Sequence, residues 1–383
     1  MERKQILVYH PVAINQFKAN VIQVKNMIKA FNHCGVECHF VGFKLKIESH
    51  LKKEFSSEWR SILKGLSLLT YRKFLGYGRL NVMFLVAYFK VLTEIREKKI
   101  STVFTRSNAL LNFLRLMSPK TLVVVELHNY RLAGPLLLHK YYLRILRKRK
   151  LNLRIIVISE ALKQFFVDSG VPKNRILVQH DGVDLKAFQE PYVKDLVVRN
   201  PFPKDQTLVT YAGSLYKDRK IDRIVELAIK LRNINFLVLG GSIDDIKRLE
   251  SAYQTMPSNL FFAGRVPVGE VYEWLKRSDI LLALWSWSVP TMKYCSPLKV
   301  FEYLVSGKIM VVEAYPTIKE VLTEKNAILV EPENFDNLVL GVKKAVVQVL
   351  ENDFPTENID LVREHYTWKI RAKNIIDFVL QGN

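Results

Sequence analysis

Glycine is missing from the first 34 residues of the chain, and acidic residues are scarce through its first half. In "HPVAINQFKAN", the segment after the first apolar run, no position lets the backbone approach a ligand without a Cβ in the way. Only Cys34, Cys38 and Cys295 carry thiols, too few for a disulfide framework, so a reducing compartment is expected. The longest wholly apolar run, "VMFLVAYF", has eight residues, far short of a membrane span. "MERKQILVYH" passes from charge straight into a strand, so no signal peptide is expected. There is no P-loop lysine motif, no Asp-x-Asp signature, no repeat and no low-complexity tract, and "ISEAL" lacks the glycines of a nucleophile elbow. "HCGVECH" (33–39) has metal-binding residue types, but helix end, turn and strand would send its side chains in different directions, so no metal is expected.

What is present is a folded composition, 49% hydrophobic and 25% charged over 383 residues, enough for two domains. Residues 1–200 hold 35 of the 58 Lys and Arg but only 14 of the 37 Asp and Glu. The whole excess of +21 therefore falls on the first half. A basic half beside a neutral one implies a polyanionic partner for the first alone: a membrane surface, an anionic lipid or nucleic acid.

Short apolar strands alternate with helices from "QILVYH" to "RILVQ", which predicts a parallel, doubly wound sheet. Residues 44–80 interrupt it as an irregular basic and aromatic insertion. The proline-rich stretch 189–205 has no periodicity and reads as a linker, after which the alternation restarts. The expected architecture is α/β: two Rossmann-like, doubly wound domains facing each other across a cleft, over 1–190 and 200–365. The terminal helix in 366–383 is expected to pack back on the first.

In "SPLKVFEYLVSGKIMVVEA", Ser296 suits an N-cap, Pro297 a first helical residue and Gly307 the C-terminal turn. The helix follows one strand and precedes another, so its N-terminus belongs at the carboxyl edge of a sheet. The N–H groups of Leu298 and Lys299, with the Lys299 ammonium, would hold a phosphate there. Glu302 lies on the apolar stripe about 6 Å along the axis at roughly 1.5 Å per residue, placed for the two hydroxyls of a ribose. It could equally be a partly exposed packing residue. "YAGSLYKDRKID", a strand, Gly turn and basic loop with Gly213, Lys217, Arg219 and Lys220, is a second phosphate arm or merely a solvated loop.

Together "YAGSLYKDRKIDRIVELA", "NLFFAGRVPVGEVYEWLKRSDILLAL" and "SPLKVFEYLVSGKIMVVEA" resemble, in order and spacing, the nucleotide-binding domain of glycosyltransferase family 4. "VVVELHN" and "VISEALKQFFVDSGVPKNRILVQHDGVDLKAF" extend the resemblance through the first half, except 44–80. It implies a GT-B fold and a retaining transferase without an obligatory metal or cofactor. Glu302 matches the second acid of the family's Glu-x7-Glu motif, which holds the donor ribose; Tyr294 stands at the first. Ser214 stands where Arg is usual, and Arg219 at the following Lys. Arg265 and Val266 match the segment lining the base pocket, and His128 the histidine beside the sugar. The glycine-rich donor loop after the first strand is missing.

"LLLHKYYLRILRKRK" sets Leu136, Tyr142, Leu143 and Leu146 among Arg144, Arg147, Lys148, Arg149 and other cations. It reads as a membrane-interfacial helix, with 44–80 as a second contact, or as a core helix with a solvated face. The expectation is a cytoplasmic transferase on the inner face of the membrane, whose domains close over a nucleoside-diphosphate sugar and pass the sugar to a lipid-linked or polysaccharide acceptor. Nucleic acid is not expected, because no reading motif accompanies the charge. The rivals are a non-catalytic sugar-nucleotide binder, a nucleic-acid-binding protein, and an epimerase or hydrolase.

Overall fold

The computed structural model describes residues 4–13, 19–45, 65–71, 77–191, 201–203 and 205–380. The chain divides into two compact units, Met1–His180 with Trp368–Asn383, and Asp181–Thr367.

The strands of the first unit are β1 (Gln5–Ala13), β2 (Glu37–Leu45), β3 (Gly65–Tyr71), β4 (Thr102–Thr105), β5 (Leu122–Leu127), β6 (Leu153–Val157) and β7 (Ile176–Val178). They form one parallel sheet in the order β3-β2-β1-β4-β5-β6-β7. The second unit has β8 (Leu208–Ala212), β9 (Asn235–Leu239), β10 (Leu260–Gly264), β11 (Ile280–Ala283), β12 (Ile309–Glu313) and β13 (Ile328–Val330), parallel in the order β10-β9-β8-β11-β12-β13. Helices on both faces bury the strands, which are mostly apolar; "LVVVEL" of β5 is buried at all six positions. In each sheet the order reverses once, between β1 and β4 and between β8 and β11. The carboxyl ends of those pairs are where doubly wound folds leave a crevice for ligands.

Serines start several of the helices. Ser107 and Ser159 accept the N–H groups of Leu110 and Leu162 to cap Asn108–Met117 and Glu160–Asp168, each cap worth about 1 kcal/mol. Ser242 forms a reciprocal box with Asp245 at the start of Ile243–Glu250, a helix the sequence pattern did not mark. Helix Trp368–Leu380 lies along helix Ala19–His33 within the first unit.

Two expectations are corrected. Residues 44–80 are not uniformly irregular: Gly65–Tyr71 adds an edge strand to the first sheet, and helix Tyr77–Glu97 has begun by residue 77. Lys44 and Leu45 close β2, while 46–64, 72–76 and the linker residues 192–200 lie outside the described residues. Residues 181–190, assigned from sequence to the first domain, fall in the second unit, where the amide of Val183 donates to the Tyr366 carbonyl.

Candidate functional site

The second unit gathers its polar groups at the carboxyl ends of β8 and β11. Helix Leu298–Ser306 is fixed to both strands by one side chain, Tyr303, whose hydroxyl accepts from the Ala212 amide (2.8 Å) and donates to the Leu282 carbonyl (3.3 Å). Gly307 ends the helix in the left-handed conformation (φ 66°). The start differs from the expectation: Pro297 is the N-cap, Leu298 the first helical residue, and the Ser296 hydroxyl instead accepts the Asp181 amide at 2.9 Å. No side chain therefore caps the helix, and its first N–H groups are left for another acceptor.

Lys299 is the unexpected member. Its side chain is buried, and among the described residues Nζ has no hydrogen-bond partner. It sits over the ring of Tyr211 (4.1 Å to the centroid) and near that of Trp285 (5.2 Å). Gly213 lies directly above: a Cβ there would come 2.9 Å from Nζ and 2.8 Å from the Tyr211 hydroxyl. Burial, reinforced by the nearby Arg219 guanidinium, pushes the Lys299 ammonium well below the ordinary lysine value, against Glu302 and Glu313. Arg219 also lies near the Tyr211 hydroxyl, which donates to the Ser214 carbonyl (3.1 Å). Gly213, Ser214, Arg219, Leu298 and Lys299 thus converge. Lys217 does not join them; it is exposed on the short turn Lys217–Arg219.

Glu302 is half-buried, one turn along the same helix, and its carboxyl lies near the Tyr272 hydroxyl. Burial pushes it up to about 7, although Lys299 and Tyr272 act against this. Tyr294 is buried at the end of the turn Pro290–Lys293 and presents no carboxylate. Val266 packs on the core beyond β10, and Arg265 beside it is exposed near Asp245. The rim is held by Glu313, which accepts from the amides of Trp285 (2.7 Å) and Glu333 (2.7 Å) and from Arg223. That buried pair was not foreseen; the signal was an acid closing the apolar run "IMVVE".

In the first unit, His128 follows β5, and its Nε2 lies 2.5 Å from Glu126 Oε1. Glu126, fully buried, also accepts from Arg106 and Arg371. His10, near the carboxyl end of β1, is buried beside them, with no partner among the described residues on either ring nitrogen. Sequence reasoning found His128 and missed Glu126, Arg106, Arg371 and His10. Cys34 and Cys38 are free thiols, Cys38 buried against backbone carbonyls. Among the described residues no cluster of His, Cys, Asp or Glu is arranged to hold a metal.

The basic segment is corrected in detail. The helix stops at Leu146, so Arg147, Lys148 and Arg149 lie beyond it, exposed, while Arg144 is exposed on its last turn. Arg147 is committed to the Ser169 carbonyl, and Arg175 donates to the backbone of Lys148 and Arg149. Tyr142, Leu143 and Leu146 turn inward. The exposed apolar side is Leu136, Leu137, Leu138 and Tyr141. Tyr141 donates to Asn112 (2.8 Å) on helix Asn108–Met117, which exposes Leu116 and Met117. Phe113 of that helix meets Phe89 (5.3 Å) on Tyr77–Glu97, which exposes Leu85, Val86 and Phe89. Three neighbouring helices so present apolar side chains. Among the described residues no helix is long and apolar enough to cross a membrane.

With both sites described, comparison with known proteins is informative. Residues 194–353, which contain β8 to β13, match the profile of the family described as Glycosyl transferases group 1. Among solved structures, a glycosyltransferase from Rickettsia africae ESF-5 superposes with a TM-score of 0.72 at 17% identity, covering 100% of both chains. Sucrose-phosphate synthase from Thermosynechococcus elongatus gives 0.70 at 16%, covering 99% of each. The Anabaena protein HepE, in complex with UDP and glucose, gives 0.67 at 12%, covering 98% of this chain and 99% of that one. No curated protein sequence matches the chain. The architecture is that of the GT-B glycosyltransferases.

Proposed function

We propose that the chain is a glycosyltransferase that takes a sugar from a nucleoside-diphosphate donor, with retention and without a required metal, and passes it to a lipid-linked or polysaccharide acceptor. One observation carries the donor half: the buried Lys299 nitrogen lacks a partner, beneath Gly213 and beside an uncapped helix start. An ammonium so placed needs an anion. The diphosphate would lie on Lys299, Arg219 and the N–H groups of Leu298 and Lys299, and Glu302 would accept from the ribose hydroxyls. As the glycosidic bond to the diphosphate breaks, negative charge grows on the leaving oxygen. Lys299 and Arg219 would stabilise it there, which carries much of the rate. His128 would touch the reacting sugar.

On the acceptor side, the exposed apolar face of three helices, together with the +21 excess of residues 1–200, supports docking on an anionic membrane at its cytoplasmic surface. The buried Tyr294 in place of an acid favours one second reading, a binder that holds nucleotide without turning it over.

Calorimetric titration of UDP, GDP and ADP into the wild type and into Glu302→Ala tests the donor site. UDP is the first nucleotide to try, since the Anabaena relative was solved with it. One nucleotide is expected to bind, and the substitution to weaken it at least about tenfold, or 1.4 kcal/mol. No binding, or no effect of the substitution, would sink the reading. Donor consumption then separates transferase from binder.

A further inference from the structure

Strand β5 is aliphatic except for one side chain, Glu126, whose carboxylate is wholly buried. Arg106 donates to Oε1 from Nε (2.9 Å) and Nη2 (2.6 Å), and Arg371 donates to Oε2 from Nη2 (2.8 Å). Burial alone would raise this carboxyl, but Arg371 and Arg106 outweigh it and hold Glu126 well below the usual range. An ionised carboxylate has lone pairs and no hydrogen, so it only accepts. His128 Nε2, 2.5 Å from Oε1, must therefore carry the ring hydrogen. That leaves Nδ1 with the lone pair, and no described residue occupies it.

We propose that Glu126 is a positioning residue that locks His128 in the Nε2–H form, so that the ring presents Nδ1 to the ligand as a hydrogen-bond acceptor, matched to a sugar hydroxyl. This rests on His128 lying beside the reacting sugar, as read above. Arg371 acts at one further remove. It belongs to helix Trp368–Leu380, donates to the His180 carbonyl (2.9 Å) from Nε, and supplies half of the counter-charge that keeps Glu126 ionised.

The charge count around His128 works in the same direction. Arg106 after β4 and Arg371 on the terminal helix face one Glu126, so the buried cluster already carries one excess positive charge. His10 at the end of β1 faces the same group, and His180 after β7 lies beside Arg371. A proton on His128 would add a second excess charge. Burial, then Arg106, pull the imidazole down to about 4 against the opposing Glu126, so the ring stays neutral at pH 7.

Long-range nitrogen–proton correlation on the full chain with ¹⁵N-labelled histidine tests this, the His128 signals being assigned by their loss in His128→Gln. The expected spectrum shows a protonated Nε2 and an unprotonated Nδ1, unchanged from pH 5.5 to 8. A protonated Nδ1, an averaged pair, or titration near 6.5 overturns the proposal. Glu126→Gln, whose amide can donate as well as accept, is expected to mix the two ring forms. It should lower kcat for transfer at least tenfold and leave nucleotide affinity unchanged. A lowered kcat with an unmixed spectrum overturns the proposal in favour of a purely structural Glu126. If the variant does not fold, the wild-type spectrum still decides. If the wild type binds no nucleotide, the donor reading fails while the spectrum judges Glu126 separately.

Discussion

Lys299 Nζ stands 4.1 Å from the centre of the Tyr211 ring, buried, and donates no hydrogen bond. Burial of this ammonium outweighs the help of the aromatic faces, Glu302 and Glu313, so it costs the free protein stability. Lys299→Met, similar in length and apolar, is therefore expected to raise stability by about 1–2 kcal/mol in denaturant unfolding. It should also weaken nucleotide binding at least tenfold by calorimetry. A variant less stable than wild type, or one with unchanged affinity, contradicts the assignment.

Glu302 has a folded-state value of about 7 against an ordinary 4.5. Between those values the folded protein holds a proton that the unfolded chain has released. The contribution to stability is therefore fully present below pH 4.5 and is lost as pH rises through about 7. Glu302→Gln should raise the Tm of the free protein at pH 8 and leave it unchanged at pH 4. Nucleotide affinity should run the other way: the wild type gains affinity from pH 6 to 8 as the carboxylate ionises, and the Gln variant shows no such slope.

Gly240 packs against Gly213, in the loop after β8. A Cβ there would fall 2.0 Å from the Gly213 carbonyl oxygen, and its φ of +119° is one that other residues avoid. Gly240→Ala is expected to cost at least about 3 kcal/mol and to displace Gly213. At Gly264, φ is +69° but the nearest atom to a Cβ is 3.8 Å away, so Gly264→Ala should cost only about 1 kcal/mol. Paired urea curves make the comparison, and equal losses would show that backbone angle, not contact, sets the cost.

Vesicle flotation addresses the three-helix face. Binding should require anionic lipid and fall as salt is raised. Leu137→Asp combined with Phe89→Asp should reduce bound protein several-fold while nucleotide affinity is kept. Equal binding to neutral vesicles, or none to either, removes the membrane from the reading. Tighter binding to RNA than to anionic vesicles replaces it.

The regular parts of the fold were legible because parallel strands buried on both faces are apolar along most of their length, as in "LVVV" of β5 and "IMVV" of β12. The helix Leu298–Ser306 was legible because Gly307 and the apolar stripe bracket it. The edge strand Gly65–Tyr71 was not, because its basic and aromatic surroundings hide the period. Glu302 stood out as an acid on the apolar stripe of a helix, yet Glu126 and Glu313 are the acids fully buried within strands. Their partners could not be read at all. Arg371 lies 245 residues from Glu126 in sequence, and Arg223 lies 90 from Glu313; only the folded chain brings them together. Ser296 misled because a good capping side chain was claimed by the Asp181 amide, a competitor 115 residues away.

The bond between Arg371 and Glu126 also sets an order of events on the ribosome. The second unit is one continuous stretch, Asp181–Thr367, and has every residue it needs once that stretch has emerged. The first unit, begun earlier, does not. At about 5–20 residues per second, the 245 residues separating the pair take roughly 10–50 s to synthesise. Until then Glu126 has only one of its two guanidinium partners, and Ala19–His33 has no helix Trp368–Leu380 against it. The half of the protein made first is thus the half completed last.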